Sequence, residues 1–280
     1  MCRLLAFASS ETTTIQALLT PQEFETYRQL STLHGDGWGA AWETGDAPVR
    51  HVNSTQRAVD DAQFLNVTSG EPSSAGIVHL RWATTGFPVN LDNTHPFEDG
   101  EWHFAHNGAI TNSEKLHAHL SPIRRAALRG TTDSEVYFQL IMDRLDAHGD
   151  IVRAVREAIA TVREVCGLGS LNCLLLGDGR MLAVQAIDAT PAPTTSLIES
   201  VGGVENLPEG HDDHYYQLRM RVDDHAVIVA STGLGEDGWE PLGEDAIVDA
   251  DLAAGVVRVY GLADGALQRT LNLSAGTAVA

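Results

Sequence analysis

The chain opens with Met1-Cys2-Arg3-Leu4-Leu5-Ala6-Phe7, an apolar and strand-like stretch whose second residue is a cysteine. Because a cysteine side chain is small enough for the initiator methionine to be trimmed, we expect the mature chain to begin with Cys2. That residue then carries a thiol and a free α-amino group, whose ordinary pKa values are near 8.5 and about 7.7–8.0. Roughly a tenth to a fifth of such amines are unprotonated at pH 7, which places a proton acceptor beside a nucleophile. The simpler interpretation of Cys2 alone is a buried cysteine in a first strand.

Five segments that follow Cys2 contain the polar side chains and glycines that active sites use. In chain order they are His34-Gly35-Asp36-Gly37-Trp38-Gly39, His79-Leu80-Arg81-Trp82-Ala83-Thr84-Thr85-Gly86, Asn93-Thr94-His95-Pro96-Phe97, Phe104-Ala105-His106-Asn107-Gly108-Ala109-Ile110 and Gly130-Thr131-Thr132-Asp133-Ser134-Glu135. Each segment alone is a weak signal. The five in this order, behind a cysteine at position two, form a specific one.

At these residues the chain resembles the class II glutamine amidotransferases, whose catalytic domain has the N-terminal-nucleophile hydrolase fold. The matching segments lie within 2–145. The resemblance implies an α+β fold, namely a four-layer αββα sandwich of two packed, mainly antiparallel sheets. It also implies one glutamine amidotransferase domain over residues 1–280, with the core motifs in 2–145 and the completion of the domain in 146–280.

The resemblance implies three catalytic residues, Cys2, Asn107 and Gly108. Hydrolysis of a γ-amide needs a nucleophile and an oxyanion hole, and the Cys2 thiolate is the implied nucleophile. The side-chain amide of Asn107 and the backbone N–H of Gly108 are the two implied donors to the developing oxyanion.

The substrate-binding residues implied by the resemblance are Arg81, Trp82, Thr84 and Asp133. A planar guanidinium such as that of Arg81 binds a carboxylate through two hydrogen bonds, which suits the α-carboxylate of a glutamyl group. Asp133 offers a carboxylate for the α-ammonium group of the same moiety. This chain has Thr85 where several family members have a histidine after the Arg-Trp-Ala-Thr run.

Each site residue also has a structural interpretation. Asp133 reads as the N-cap of the helix that follows it, and Asn107-Gly108 reads as a tight turn. Arg81, near a strand end, could pair with an interior acid. Trp38 and Trp82 are typical of aromatic side chains that pack in the core as walls of a site and do not contact the substrate.

The glycine turn offers two further pocket candidates, His34 and Asp36. Shaping the turn is an equal alternative for both residues.

Composition excludes several classes of partner. A formal charge of −20 argues against nucleic acid and anionic membranes. No apolar run reaches the roughly 20 residues of a membrane span, and no basic region followed by an apolar one indicates a signal peptide. Three cysteines, Cys2, Cys166 and Cys173, favour a reducing cytoplasm over a disulfide framework. We therefore expect a cytoplasmic protein.

Hydrophobic patterns predict clustered strands with two long helices between them, which indicates packed sheets with helices outside. Strands are predicted over 2–8, 37–43, 75–82, 102–106, 170–176, 181–187, 214–222, 226–230 and 256–260. Gly177-Asp178-Gly179-Arg180 and Asp223-Asp224 predict hairpin turns. Long helices are predicted from Asp133-Ser134 to 145 and from 151 to Gly167, and shorter ones over 21–30 and 113–120. Surface loops are predicted over 190–195 and 202–210.

No metal and no cofactor are predicted. The histidines that suggest a metal site are His103, His106, His117 and His119. His117 and His119 lie two residues apart on a predicted helix and so point to different faces. Neither Cys166 nor Cys173 has a second cysteine pair at zinc-ligand spacing.

The resemblance implies attack of the Cys2 thiolate on a γ-glutamyl amide, release of the amine and hydrolysis of the thioester by water. The absence of a phosphate-loop or dinucleotide motif favours the stand-alone branch of the family, which includes the γ-glutamyl hydrolase of ergothioneine biosynthesis. A small-molecule γ-glutamyl substrate is thus the expected partner, with homo-oligomers and an unlinked synthase left open. The loops over 87–92 and 231–239 are expected to form an amine-side pocket. A glutaminase subunit feeding a separate synthase, or a silent γ-glutamyl-binding protein, are the alternatives.

Overall fold

Two seven-stranded antiparallel sheets form the centre of the computed structural model, which describes residues 2–44, 47–84, 86–188 and 191–274. The first sheet runs in the order β11 (Glu240–Pro241), β9 (Leu218–Val222), β10 (Ala226–Ser231), β1 (Arg3–Thr13), β4 (Ser73–Leu80), β2 (Trp38–Glu43) and β3 (Arg50–Ser54). The second runs in the order β14 (Leu267–Asn272), β13 (Val256–Gly261), β12 (Ala246–Asp251), β8 (Arg180–Gln185), β7 (Leu171–Gly177), β6 (Trp102–Gly108) and β5 (Phe97–Asp99). The strand that follows Cys2 is therefore central in its sheet.

Helices cover the outer face of each sheet. The first sheet packs against α1 (Ile15–Leu18), α2 (Pro21–Leu30) and α3 (Ala62–Gly70), and the second against α5 (Asp133–His148) and α6 (Ile151–Cys166), with α4 (Pro122–Ala126) beside α5. A further helix, α7, spans Thr194–Val201. The layers follow the order helix, sheet, sheet, helix, which confirms the predicted αββα sandwich. Within the described ranges no helix is both long enough and apolar enough to cross a membrane.

Burial on both faces of β1 explains the continuous apolar sequence of the amino terminus. Side chains alternate between the faces of a strand. Leu4 and Ala6 pack between the two sheets, whereas Leu5 and Phe7 pack under the helices of the first sheet. Cys2 continues the row of Leu4 and Ala6, so its thiol faces the second sheet.

Most predicted elements are confirmed, with boundaries shifted by a few residues. The hairpin turn at Asp178 and Gly179 is present, with both residues at positive φ (51° and 66°). Three predictions are wrong. Residues 214–217 form a turn before β9 rather than its first half. The segment Ser113–His119 is a 3₁₀ helix rather than an α-helix.

The third wrong prediction is the loop over 190–195, because α7 begins inside it at Thr194. Its residue 190 lies outside the described residues, as do Met1 and Thr85. Besides α7, the elements without a prediction are α1, α3, α4, β3, β5, β11, β12 and β14.

Candidate active site

Cys2 lies at the mouth of the space between the two sheets. Its backbone N–H donates to Oδ1 of Asn107 at 2.9 Å, and its thiol lies 3.9 Å from the carbonyl oxygen of Trp82. The Cys2 residue is 7% exposed, so it is buried as the structural interpretation requires and yet lines a pocket. The nucleophile candidate is therefore held from both sheets.

Asn107 and Gly108 end strand β6 opposite Cys2. Because Oδ1 of Asn107 accepts from Cys2, its Nδ2 group is left as a buried donor without a protein partner among the described residues. Both residues pair with β7, so the alternative of a tight turn is wrong. A side chain at position 108 would collide with the carbonyl oxygen of Ser170, which explains the glycine.

Arg81 follows β4 and is buried without an acidic partner. Its Nη2 donates to the carbonyl oxygen of Pro88 at 3.1 Å, and its Nη1 lies 3.4 Å from that of Asp36. The guanidinium forms no salt bridge with any carboxylate in the described part of the chain, so the predicted alternative of an interior acid is wrong. A buried cation whose hydrogen bonds to the described residues are made to backbone carbonyls is well suited to bind an anionic ligand.

Asp133 is the first residue of α5 rather than its cap. The N-cap is Thr132, whose hydroxyl accepts from the backbone N–H of Glu135, so the capping alternative for Asp133 is wrong. The Asp133 carboxylate accepts instead from the N–H groups of Ile110 (2.5 Å) and Ser134 (2.9 Å). Two backbone donors thus fix its orientation beside the pocket.

One pocket brings the predicted site residues together. Six of the seven line it, namely Cys2, Arg81, Trp82, Thr84, Gly108 and Asp133, and Asn107 adjoins it through its hydrogen bond to Cys2. Its cavity volume is only about 30 Å³ in this conformation.

Of the two loops predicted to form an amine-side pocket, one contributes to the Cys2 pocket and the other does not. Phe87 lines the Cys2 pocket, whereas none of residues 231–239 does. Gly233 to Asp237 border a separate cavity beside α2 instead.

Of the two candidates in the glycine turn, neither His34 nor Asp36 lines the Cys2 pocket, and Asp36 has a structural role. Asp36 accepts from the N–H of Ala83 at 2.8 Å, and Gly37 accepts from the N–H of Arg81 at 2.9 Å. The turn thereby braces the chain on either side of Trp82. The neighbouring Trp38 is fully buried against Phe64, as expected of a wall.

A sequence model of the class II glutamine amidotransferases matches residues 1–245. The chain belongs to this family. Among curated relatives, gamma-glutamyl-hercynylcysteine sulfoxide hydrolase of Mycolicibacterium smegmatis is 29% identical over 221 residues, covering 76% of this chain and 89% of the relative. Glutamine–fructose-6-phosphate aminotransferase (isomerizing) of Symbiobacterium thermophilum is 34% identical over 181 residues, which cover 57% of this chain and 29% of the relative. The resemblance proposed from the motifs is thus confirmed.

Structural comparison supports the same fold. The solved structure of a glutamine aminotransferase class-II domain protein from Silicibacter pomeroyi superposes with a TM-score of 0.59 at 16% identity, over 90% of this chain and 96% of that chain. This class II amidotransferase is accordingly an enzyme that acts on amide bonds, as the sequence predicted.

Three histidines surround the nucleophile of this amidotransferase, and none of them has a predicted catalytic role. The rings of His79 and His95 lie 4.3 Å apart between centroids, and both are buried. Burial, followed by the charge of His79, holds the pKa of His95 well below its ordinary value. Burial also lowers the pKa of His106, whose Nδ1 lies 2.9 Å from the hydroxyl of Ser134. His95 and His106 are therefore neutral at physiological pH.

A buried cluster lies behind Cys2, and His34 is its one member that was a candidate from the sequence. The Arg3 guanidinium lies 3.9 Å above the ring of Tyr215 and donates to its carbonyl oxygen at 3.0 Å. His34 contacts Arg3 and lies 2.9 Å from His211, ring nitrogen to ring nitrogen. Burial, then the charge of Arg3, lowers the pKa of His211 to about 3. The Tyr215 hydroxyl donates to the carbonyl oxygen of Cys2 at 3.3 Å, so this cluster holds the nucleophile in place.

The three cysteines differ sharply in acidity. Burial is the largest single effect on the Cys2 thiol and raises its pKa, but the charges of His79 and of the amino terminus, together with hydrogen bonds involving His79 and the Trp82 backbone, outweigh burial, and the pKa falls to about 6. Burial raises the pKa of Cys173 to about 12 and also raises that of Cys166. Because the thiolate is the reactive form, Cys2 is the thiol poised for attack at neutral pH.

Alkylation should reveal this low pKa. We expect the rate of Cys2 labelling by iodoacetamide, followed by peptide mapping, to rise with pH through a midpoint near 6, because the thiolate fraction increases as pH passes the pKa. His79→Gln removes the attracting charge and should move the midpoint upward. A midpoint near 8.5 in the unmodified protein, the ordinary value of a thiol, would contradict the assignment.

Proposed function

We propose that this amidotransferase hydrolyses γ-glutamyl amides, with Cys2 of the trimmed chain as nucleophile. One observation carries the proposal. A single pocket holds a thiol of lowered pKa, a buried cation without a salt-bridge partner among the described residues and an oriented carboxylate, which are Cys2, Arg81 and Asp133. A thiol, a cation and an anion are the three groups that a γ-glutamyl amide requires.

The glutamyl end of the substrate is proposed to bind between Arg81 and Asp133. The α-carboxylate replaces the carbonyl of Pro88 as partner of the guanidinium, because a charged acceptor gives the stronger hydrogen bond. The α-ammonium group takes the free lone pairs of Asp133. Since the present cavity is smaller than a glutamyl group, the segment that includes Phe87 and Pro88 has to move when substrate enters.

Chemistry then proceeds at the γ-carbonyl. The Cys2 thiolate attacks the carbon, and negative charge develops on the oxygen, which accepts hydrogen bonds from Nδ2 of Asn107 and the N–H of Gly108. The α-ammonium group of Cys2 protonates the leaving amine as the C–N bond breaks, which leaves a γ-glutamyl thioester. The α-amine then takes a proton from water, which attacks the thioester and releases glutamate and the thiolate.

The relatives support a stand-alone hydrolase as the finer proposal. The hydrolase from Mycolicibacterium smegmatis aligns over 89% of its own length, whereas the aminotransferase aligns over only 29%. The stand-alone proposal includes one domain over residues 1–280, a cytoplasmic location and no obligatory synthase partner. Strands β7–β14, all beyond residue 145, complete both sheets around the Cys2 pocket, which supports a single folding unit.

A panel of γ-glutamyl amides tests the function. We expect purified protein alone to release glutamate, and to have a higher kcat/KM for γ-glutamyl conjugates of larger amines than for glutamine. The relative from Mycolicibacterium smegmatis is named for such a conjugate, gamma-glutamyl-hercynylcysteine sulfoxide. The Cys2→Ala variant is the negative control for glutamate release. The stand-alone proposal is wrong if glutamine has the highest kcat/KM or if turnover requires an added synthase.

The second candidate is a glutaminase subunit that supplies ammonia to a separate synthase. The 34% identity to an aminotransferase over 181 residues favours it. The same panel separates the two candidates, because only the subunit would show glutamine preference together with stimulation by a partner.

A further inference from the structure

Away from the Cys2 pocket, three metal-binding side chains converge where the edges of the two sheets meet. They are His51 on β3, Glu98 on β5 and His103 on β6. Their ligand atoms all lie within 4.8 Å of one another. Both β3 and β5 are edge strands, so the cluster bridges the open side of the sandwich.

The sheet register positions these groups without strain. Glu98 and His103 are directly paired across β5 and β6, so their side chains project to the same face. His51 reaches this face from the other sheet, and its Nδ1 lies 3.1 Å from Nε2 of His103. Two nitrogen ligands of a tetrahedral zinc ion lie roughly 3.3 Å apart, given Zn–N bonds of about 2.0–2.1 Å. The pair of rings is thus already spaced as metal ligands.

We propose that His51, Glu98 and His103 bind a divalent transition-metal ion, with zinc as the best match. Two imidazoles and one carboxylate are a ligand set that zinc accepts, and they leave a fourth position for water. Glu98 is exposed, so its side chain can turn inward to complete the set, whereas His103 is 1% exposed and fixed.

The surroundings favour a cation. A cavity of about 360 Å³ adjoins Glu98 and His103, and its wall carries the acidic residues Glu43, Glu101 and Asp178. Their summed negative charge raises the local concentration of cations and provides a path to the site. The site lies at the opposite end of β6 from Asn107, about 14 Å away along the strand. The proposed metal therefore stabilises the contact between the edges of the two sheets and takes no part in amide hydrolysis.

This proposal departs from the sequence-based expectation of no metal. That expectation compared His103 with histidines nearby in sequence, His106, His117 and His119. The structure pairs His103 instead with His51, which lies 52 residues earlier. Such a pair has no ligand-spacing motif that a sequence could reveal.

Zinc titration of chelator-treated full-length protein tests the site. We expect one zinc ion to bind with micromolar or tighter affinity and to raise the melting temperature. His51→Gln and Glu98→Gln, both at exposed positions, should weaken binding by at least about 100-fold, since each removes a ligand. His119→Gln, an exposed histidine outside the site, is the matched control and should bind zinc as the unmodified protein does.

Cobalt substitution distinguishes this site from binding at a thiol. Visible bands of a four- or five-coordinate cobalt complex without a thiolate charge-transfer band are expected. Absence of saturable binding, equal binding by His51→Gln, or a thiolate-to-cobalt band would each overturn the proposal. The result does not depend on glutamate release, so it stands or falls separately from the proposed function.

Discussion

Cys2→Ala should lower kcat by about 10⁶-fold, because removal of a covalent nucleophile eliminates the thioester route. The small change at one end of β1 should leave the fold intact, which circular dichroism and the melting temperature would show. Intact mass of the unmodified protein should lack one methionine. A glutamine-like electrophile should then label Cys2 and spare Cys166 and Cys173, whose pKa values are raised.

Cys166→Ala is the matched control for this experiment. It removes a partly exposed thiol outside the pocket and should keep full turnover. Fully active protein that retains Met1 would exclude the α-amine as the proton acceptor. Substantial turnover by Cys2→Ala would exclude Cys2 as the nucleophile.

Asn107→Ala should lower kcat by roughly 10²–10³-fold with little change in KM, the usual loss for one oxyanion donor. The physical reason is that Nδ2 of Asn107, a buried donor without a partner among the described residues, is available for the oxygen on which charge develops. Asn107→Asp sharpens the test, because it keeps an acceptor for the Cys2 N–H but replaces the donor. Both variants should lose kcat, as steady-state glutamate release would show.

Arg81→Lys is the contrasting variant, since a clamp for the α-carboxylate binds the ground and transition states alike. It should mainly raise KM, and Asp133→Asn should do the same. If Asn107→Ala instead raises KM with normal kcat, its side chain contributes to substrate binding and is not an oxyanion donor.

The sequence predicts the sandwich well because local signals mark its elements. The turn at Asp178 and Gly179 fixes the β7–β8 hairpin, and helical periodicity marks α5 and α6. The ordered motifs also identify the residues that share the Cys2 pocket. These features depend on short stretches of chain, in which turn residues, the spacing of apolar residues and the order of the motifs can be seen in the sequence.

Long-range contacts could not be predicted in the same way. Arg3 follows Cys2 on a strand buried on both faces, so alternation of polar and apolar residues gives no sign of its partner Tyr215, 212 residues later. Edge strands such as β3, which is only partly buried, lack the apolar run that marks a strand. The closeness of His51 and His103 likewise depends on how the two sheets pack.

The position of β1 between β4 and β10 also sets the timing of its burial during synthesis. Its second neighbour, β10, begins at Ala226, so β1 cannot be fully paired until most of the chain has been made. At about 5–20 residues per second, that interval lasts roughly 10 to 45 s. During it the amino terminus emerges from the ribosome without its final partner strand. We therefore expect an aminopeptidase to cleave the bond before Cys2 on the nascent chain, before Cys2 reaches the 7% exposure that it has in the folded protein.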